Sequence, residues 1–290
     1  MIDYINLGAT LFVPSTHKDL PDIINRQKYP KLKSVVIDLE DALNDSELDQ
    51  AKDIVKDLLL SYEKNSLLVF IRPRNPENLK DILTYKHVDK IDGFILPKFS
   101  LDNADMYLNL LNDTKHSFMP SIEGKELFDR DALKRLKNIL LEYKERILLV
   151  RFGLEDMLRQ LSMKRSCEYS VFDYAACASV LGDLLAIFKS AGFVLSGGVY
   201  PCFKDKEGFV KDVKRDLREG LFSKTIIHPS QIDIVDELYK VSQDELREAK
   251  ELLDSSQAVI NLEGKMGEVK TMSPYAKEVI KRAKVYGVCP

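Results

Sequence analysis

Eight times along the chain a short apolar run is followed by a helical pattern, and this alternation restricts the fold more than any other feature. The runs that predict strands are 8–13, 34–39, 67–71, 93–96, 117–122, 147–152, 193–199 and 224–227. Each is short and continuously apolar, the pattern of parallel strands covered on both faces. Helical patterns lie between them at 19–26, 47–60, 76–84, 102–111, 131–143, 155–161 with 173–191, and 207–220. A last helix, 229–239, follows the eighth strand. Eight βα units with short connections predict an α/β fold of the TIM (β/α)8 barrel type, with an open doubly wound sheet as the alternative. The chain has 290 residues, room for a barrel of about 250 and a little more. The expected domains are a barrel over 1–241 and a helical extension over 242–290, with two helices around 258–266. The extension is expected to pack on the barrel or on a neighbouring subunit.

Composition excludes several partners. Lys plus Arg number 43 and Asp plus Glu 46, a net charge of −3, which argues against a protein built to bind nucleic acid through a basic face. No apolar run reaches the roughly 18 residues of a membrane helix. The opening MIDYINLGATLFVPS lacks a basic segment before an apolar one, so no secretory signal is expected. Cys167, Cys177, Cys202 and Cys289 have no CxxC spacing. Neither a disulfide scaffold nor a zinc site is expected of them, and a cytoplasmic location fits.

Function is legible in what ends each strand. The second ends in Asp38, with Glu40 and Asp41 just beyond; the third ends in Arg72, the fourth in Lys98 and the fifth in Glu123. Asp156 stands three residues past Gly153 after the sixth, and His228 ends the eighth. In a barrel these C-terminal strand ends converge on one mouth, where active sites are built. Each residue alone also fits a plain role, such as a helix-capping acid or a surface pair. Their shared placement favours a site. Two carboxylates from neighbouring strands, Glu123 and Asp156, suit Mg²⁺, which takes oxygen ligands and keeps several waters. Arg72 can hold a substrate carboxylate with two parallel hydrogen bonds. Such a site favours making or breaking a C–C bond next to a 2-oxo acid or thioester, through an enolate.

The segments LFVPS, VVIDLEDAL, FIRPRN, GFILPKF, PSIEGKELFD, VRFGLEDML and KTIIHPSQI, in this order, carry a family signature. The chain resembles the HpcH/HpaI aldolase and citrate lyase β-subunit superfamily over nearly its whole length. RPRNPENL, DGFILPKFS and INLEGKM look closest to a subgroup of C–C bond lyases. The resemblance implies a TIM barrel, Mg²⁺ dependence and a homotrimer or homohexamer. It implies a small carboxylic acid or acyl-thioester as substrate. Arg72 is implied in binding and catalysis, Glu123 and Asp156 as metal ligands, and Asp38, Glu40 and Asp41 as the acids that order the metal's waters. Lys98, Pro14 and Gly153 are further candidates for substrate binding. Relatives carry acids in a stretch of the form DGVYxDFxD; here it reads GGVYPCFKD, which keeps only the last of those acids. Asp205 alone remains as the acid/base candidate of that stretch. Two other readings stay open: a Schiff-base aldolase using Lys98 as nucleophile, and a non-catalytic scaffold that keeps the fold.

Overall fold

The computed structural model describes residues 2–289. They divide into two compact units, Met1–Ile232 and Asp233–Pro290. The cut falls nine residues before the domain limit expected at 241/242.

The first unit is built on a parallel sheet. Its strands are β1 (Thr10–Pro14), β2 (Ser34–Asp38), β3 (Leu68–Arg72), β4 (Gly93–Leu96), β5 (Ser117–Ile122), β6 (Arg151–Phe152) and β7 (Thr225–Ile226), in the order β6-β5-β4-β3-β2-β1-β7. The expected strand 193–199 is reduced to two parallel bridges, Val150 with Leu195 and Gly197 with Lys224. These bridges link the β6 side of the sheet to the β7 side, as a barrel requires. The reason for the reduction is local. The stretch Ser196-Gly197-Gly198 has little side chain to pack against neighbours. At Gly197 even a Cβ would overlap the Asp216 carboxylate.

Helices α1 (Leu20–Ile24), α2 (Leu48–Ser61), α3 (Pro76–Leu83), α4 (Ala104–Leu111), α5 (Arg130–Leu141), α6 (Leu154–Gln160), α7 (Ala175–Ser190) and α8 (Lys206–Arg218) alternate with the strands. Their starts are written in the sequence. Asn75 accepts the backbone N–H of Asn78 with Pro76 at the first turn, and Asp129 accepts those of Asp131 and Ala132. These side chains satisfy donors that a helix leaves open at its N-terminus.

The register stacks the interior in layers. Phe12, Val36 and Phe70 stand level on β1, β2 and β3, and two residues further Pro14, Asp38 and Arg72 stand level again. Val36, Phe70, Ile95, Met119 and Leu149 belong to one buried apolar cluster. Side chains alternate across a strand, so the residue two places on faces the same way. The layer above the apolar cluster therefore carries Asp38, Arg72, Ser121 and Arg151, and Ser121 pairs in register with Arg151. The same alternation that buries the core points a polar layer inward at the strands' C-terminal ends.

The second unit contains most of α9 (Ile232–Leu238), then α10 (Gln243–Asp254) and α11 (Val269–Tyr286). Between the last two lies an antiparallel hairpin of β8 (Val259–Leu262) and β9 (Lys265–Glu268). Short parallel pairing joins Val241–Ser242 to Val288–Cys289. Its core comprises Val241, Ala249, Leu252, Leu262, Ala276 and Val279. The two helices expected around 258–266 are present, and the segment between them is a hairpin.

Cys167 and Cys202 form a disulfide, with their Cα atoms 6.1 Å apart. The sequence argues against a disulfide scaffold, and the structure has this single bond. The two are 35 residues apart in sequence, and only the folded path of the chain brings them together. Cys177 and Cys289 are free.

Candidate active site

A pocket of about 420 Å³ opens among the C-terminal ends of the strands. It is lined by Pro14, Asp38, Asp41, Arg72, Glu123, Gly153 and Asp156 among others. Of the residues singled out from the sequence, these seven line one pocket. Five carboxylates (Asp38, Asp41, Glu123, Glu155, Asp156) face two guanidiniums (Arg72, Arg151). That excess of negative charge favours a bound cation.

Glu123 is enclosed, 4% exposed. Its Oε1 accepts the backbone N–H of Lys98 at 2.5 Å and its Oε2 accepts the Ser121 hydroxyl at 3.0 Å. Lys98 reaches this geometry in a left-handed backbone conformation, φ 48°, uncommon for a residue other than glycine. Gly153 leaves the space that the Glu123 side chain fills: a Cβ there would overlap the carboxylate. Burial drives the Glu123 pKa up, and the neighbouring Asp156 adds to the rise. Asp156 is held by Arg159, whose Nη2 donates to Oδ1 at 2.6 Å.

Arg72 is fixed in its plane. Nε and Nη2 donate to the two oxygens of Asp38 at 2.7 and 2.6 Å, and Nη1 lies 2.9 Å from Oε2 of Glu40. Burial opposes its charge, but Asp38, Glu40 and Asp41 outweigh that effect and raise its pKa. Its guanidinium lies 5.2 Å from the centre of the Phe12 ring. Glu40 is pushed up to about 7, first by burial and further by its hydrogen bond to Asp41, while Arg72 and Lys98 pull it down. For Asp41 burial acts in the opposite sense to the outcome. The hydrogen bond from Glu40 and the cations of Arg72 and Lys98 hold its carboxyl below the ordinary carboxylate range.

Lys98 places its ammonium between Glu40 and Asp41 rather than in the pocket. Burial would lower its pKa, but the two carboxylates raise it. A Schiff-base lysine needs the opposite. Asp205 is not brought to this wall. It caps α8, its Oδ1 accepting the Gly208 N–H at 2.9 Å and its Oδ2 the Tyr200 hydroxyl at 2.8 Å. Those two hydrogen bonds hold its pKa low. His228 stacks on Phe203 with ring centres 4.6 Å apart, and its Nδ1 accepts the Ser230 N–H.

Arg151 and Thr225 line the pocket and were not singled out from the sequence. The signal for Arg151 was present: a single cation interrupts the apolar run ILLVRF.

The residues fit Mg²⁺. Among the described residues no group of three or more His, Cys, Asp or Glu side chains could hold a metal ion. Mg²⁺ is commonly bound through one or two carboxylates, with waters and substrate completing its shell. Glu123 and Asp156, both lining the pocket, would supply that pair.

The family model for the C–C bond lyase of the TIM-barrel fold matches residues 1–288. Citrate lyase subunit beta of Haemophilus influenzae is 25% identical over 294 residues, 95% of this chain and 96% of that one. A (3S)-malyl-CoA thioesterase of Cereibacter sphaeroides is 24% identical over 216 residues, 73% of this chain and 71% of that one. Among solved structures, protein CitE from Mycobacterium tuberculosis in complex with magnesium, acetoacetate and coenzyme A has a TM-score of 0.70 at 19% identity. That match covers 97% of this chain and 99% of the other. The citrate lyase beta subunit complexed with oxaloacetate and magnesium from the same organism gives 0.61 at 17% identity, over 81% and 97%. At these identities the structural matches establish the fold.

Proposed function

Because the chain belongs to the C–C bond lyases of the TIM-barrel fold, we propose that it is a Mg²⁺-assisted carbon–carbon lyase or aldolase. Its substrate would be a small hydroxy or oxo acid, or a thioester of one. The observation that carries this reading is that Glu123, Asp156 and Arg72 line the same pocket. CitE of M. tuberculosis, a structural neighbour, has been solved with magnesium and small oxo acids, which supports the metal.

Mg²⁺ bound to Glu123 and Asp156 would supply a Lewis acid for the oxygen that gains negative charge as the bond breaks. The chain's own residues do the rest. Ser121 and the Lys98 N–H hold the Glu123 carboxylate in one orientation. Asp38 occupies the Nε edge of Arg72. Nη1 stands 2.9 Å from Glu40 Oε2, so a substrate carboxylate would share with Asp38 and Glu40 a guanidinium already locked in plane, and little freedom would be lost on binding. Glu40, pushed up to about 7, and Asp41, held below the ordinary carboxylate range, stand beside it and would orient water at the mouth.

The test is hydrogen exchange at the carbon next to a carbonyl. Pyruvate incubated with the protein and Mg²⁺ in D₂O should lose its methyl proton signal by NMR. The loss should stop on chelation and in Glu123→Gln. Absence of exchange in pyruvate, 2-oxobutyrate and oxaloacetate alike would remove the lyase reading.

A further inference from the structure

We infer that the C-terminal ends of three neighbouring strands form an apolar subsite for the tail of the substrate, which makes that substrate a monocarboxylic oxo or hydroxy acid with an alkyl chain rather than a diacid. The inference rests on the lyase reading and names its substrate class.

The lining of the pocket changes character from strand to strand. β2 and β3 end in Asp38 and Arg72, and Glu123 follows β5 directly. The arc that closes the barrel is different. Phe152 ends β6 and Leu154 begins α6, Val199 ends the bridged stretch 193–199, and Ile227 follows β7; all four line the pocket. These ends are neighbours, because Val150 bridges Leu195 and Gly197 bridges Lys224. A Cβ on Gly198 would lie 3.3 Å from both the Phe152 ring and a Leu154 methyl, so the glycine backbone rests against them. Ile227 stands two residues past Thr225, as Glu123 stands two past Ser121. Side chains two apart on a strand face the same way, so Ile227 holds at its strand the place at the mouth that Glu123 holds at β5. It is 42% exposed, hydrocarbon that a ligand can cover. The polar groups of this arc are Arg151 and Thr225, earlier on β6 and β7, where Arg151 Nη1 donates to Thr225 Oγ1 at 3.0 Å, and Glu155, exposed beyond Leu154.

Size and charge identify the occupant. A cavity of about 420 Å³ lies in the range of roughly 300–1,000 Å³ typical of sites for ligands larger than pyruvate. An acid whose carboxylate end is held among Arg72, Glu123 and Asp156 has the rest of its chain to place elsewhere in the pocket. An alkyl chain over Leu154, Val199 and Ile227 takes apolar surface out of water on both partners. A second carboxylate there would give up water against hydrocarbon, with the Glu155 carboxylate on the same pocket lining.

Calorimetric titration of the Mg²⁺-loaded full chain with straight-chain 2-oxo acids tests this. Affinity should rise about threefold to fourfold for each methylene added, from pyruvate through 2-oxobutyrate and 2-oxovalerate to 2-oxohexanoate, the gain expected for carbon that leaves water. 2-Oxohexanoate should bind about tenfold more tightly than 2-oxoadipate, which has the same chain length and a second carboxylate at its end. Ile227→Ser should cut the rise per methylene below about twofold, and Val199→Thr, which keeps the shape of the side chain, should lower it too. A merely structural role would change all the acids alike and leave the rise per methylene as it is. Near-ultraviolet circular dichroism checks that each variant is folded. If Ile227→Ser does not fold, Val199→Thr and the parent's own series decide. Pyruvate binding without a gain on lengthening, 2-oxoadipate binding as tightly as 2-oxohexanoate, or a rise per methylene that survives in the folded variants overturns this inference alone. No binding of any of these acids overturns the lyase reading and this inference with it.

Discussion

Gly153, at the start of α6, stands where a Cβ would lie 2.6 Å from the Cβ of Glu123 and inside the space of its carboxylate. The glycine after β6 is thus the mould for the acid after β5. Gly153→Ala should force Glu123 aside. Overpacking of this kind costs about 1–3 kcal/mol, and Mg²⁺ affinity should fall with it. Thermal melting and Mg²⁺ titration on the same variant check both, and unchanged Mg²⁺ affinity would detach Gly153 from the metal site.

Glu123→Gln and Asp156→Asn should each weaken Mg²⁺ binding, because each exchanges a charged oxygen ligand for a neutral amide. Isothermal titration with MgCl₂ reads this directly. If both variants bind as tightly as the parent, the ion sits elsewhere.

Arg72→Lys keeps the charge but loses the fork that joins Asp38 through two parallel hydrogen bonds. Affinity for a 2-oxo acid should drop about tenfold to a hundredfold, since such charge-assisted bonds are worth roughly 1.5–3 kcal/mol and each 1.4 kcal/mol is a factor of ten. Mg²⁺ affinity without acid should stay near the parent's. A variant that binds pyruvate and oxaloacetate like the parent would remove Arg72 from substrate binding.

Glu40 gives the protein a pH-dependent stability. Its pKa rises from an ordinary 4.5 to about 7, chiefly through burial, against the pull of Arg72 and Lys98 and with Asp41 beside it. Asp38 lies on its own segment and the Tyr107 hydroxyl is near enough to feel its charge. A carboxyl with a raised pKa takes up a proton on folding. Between about pH 4.5 and 7 the folded state therefore holds more protons than the unfolded one, and this group's contribution to stability falls as pH rises through that window. Urea titrations in chelator at stepped pH should show that slope, and Glu40→Gln should flatten it. An equal slope in the variant would assign it to another group.

The Cys167–Cys202 bond closes a loop of about 35 residues. Chain entropy alone gives such a link about 2–4 kcal/mol. Dithiothreitol should lower the urea midpoint of the parent and leave that of Cys167→Ser unchanged. A non-reduced digest lacking the linked peptide would show that the bond does not form in solution.

The strand ends were legible in the sequence because parallel strands are written as short apolar runs and the first polar residue after each run marks the mouth. Strands β4 and β5 coincide with the expected 93–96 and 117–122. The acids Asp38, Glu123 and Asp156 and the cation Arg72 could be placed on one edge from that pattern alone. Three things could not. Asp205 has the same chemistry as the site acids, but it serves as the cap of α8, a difference of a few backbone angles that residue type does not encode. The pairing of Cys167 with Cys202 depends on the path of 35 intervening residues.

Arg151 shows the division most clearly. Its sequence context states only that a charge sits in an apolar strand. Whether that charge points into the barrel or outward to the helices depends on the parity of the pleat, and the register with Ser121 on β5 fixes that parity. Local chemistry, read along the chain, determined seven of the eight expected strands, the helices that alternate with them and the kinds of group at their ends. The closing of those units on one another decided which groups meet, because contacts across a barrel join residues far apart in sequence and cannot be read from any one segment.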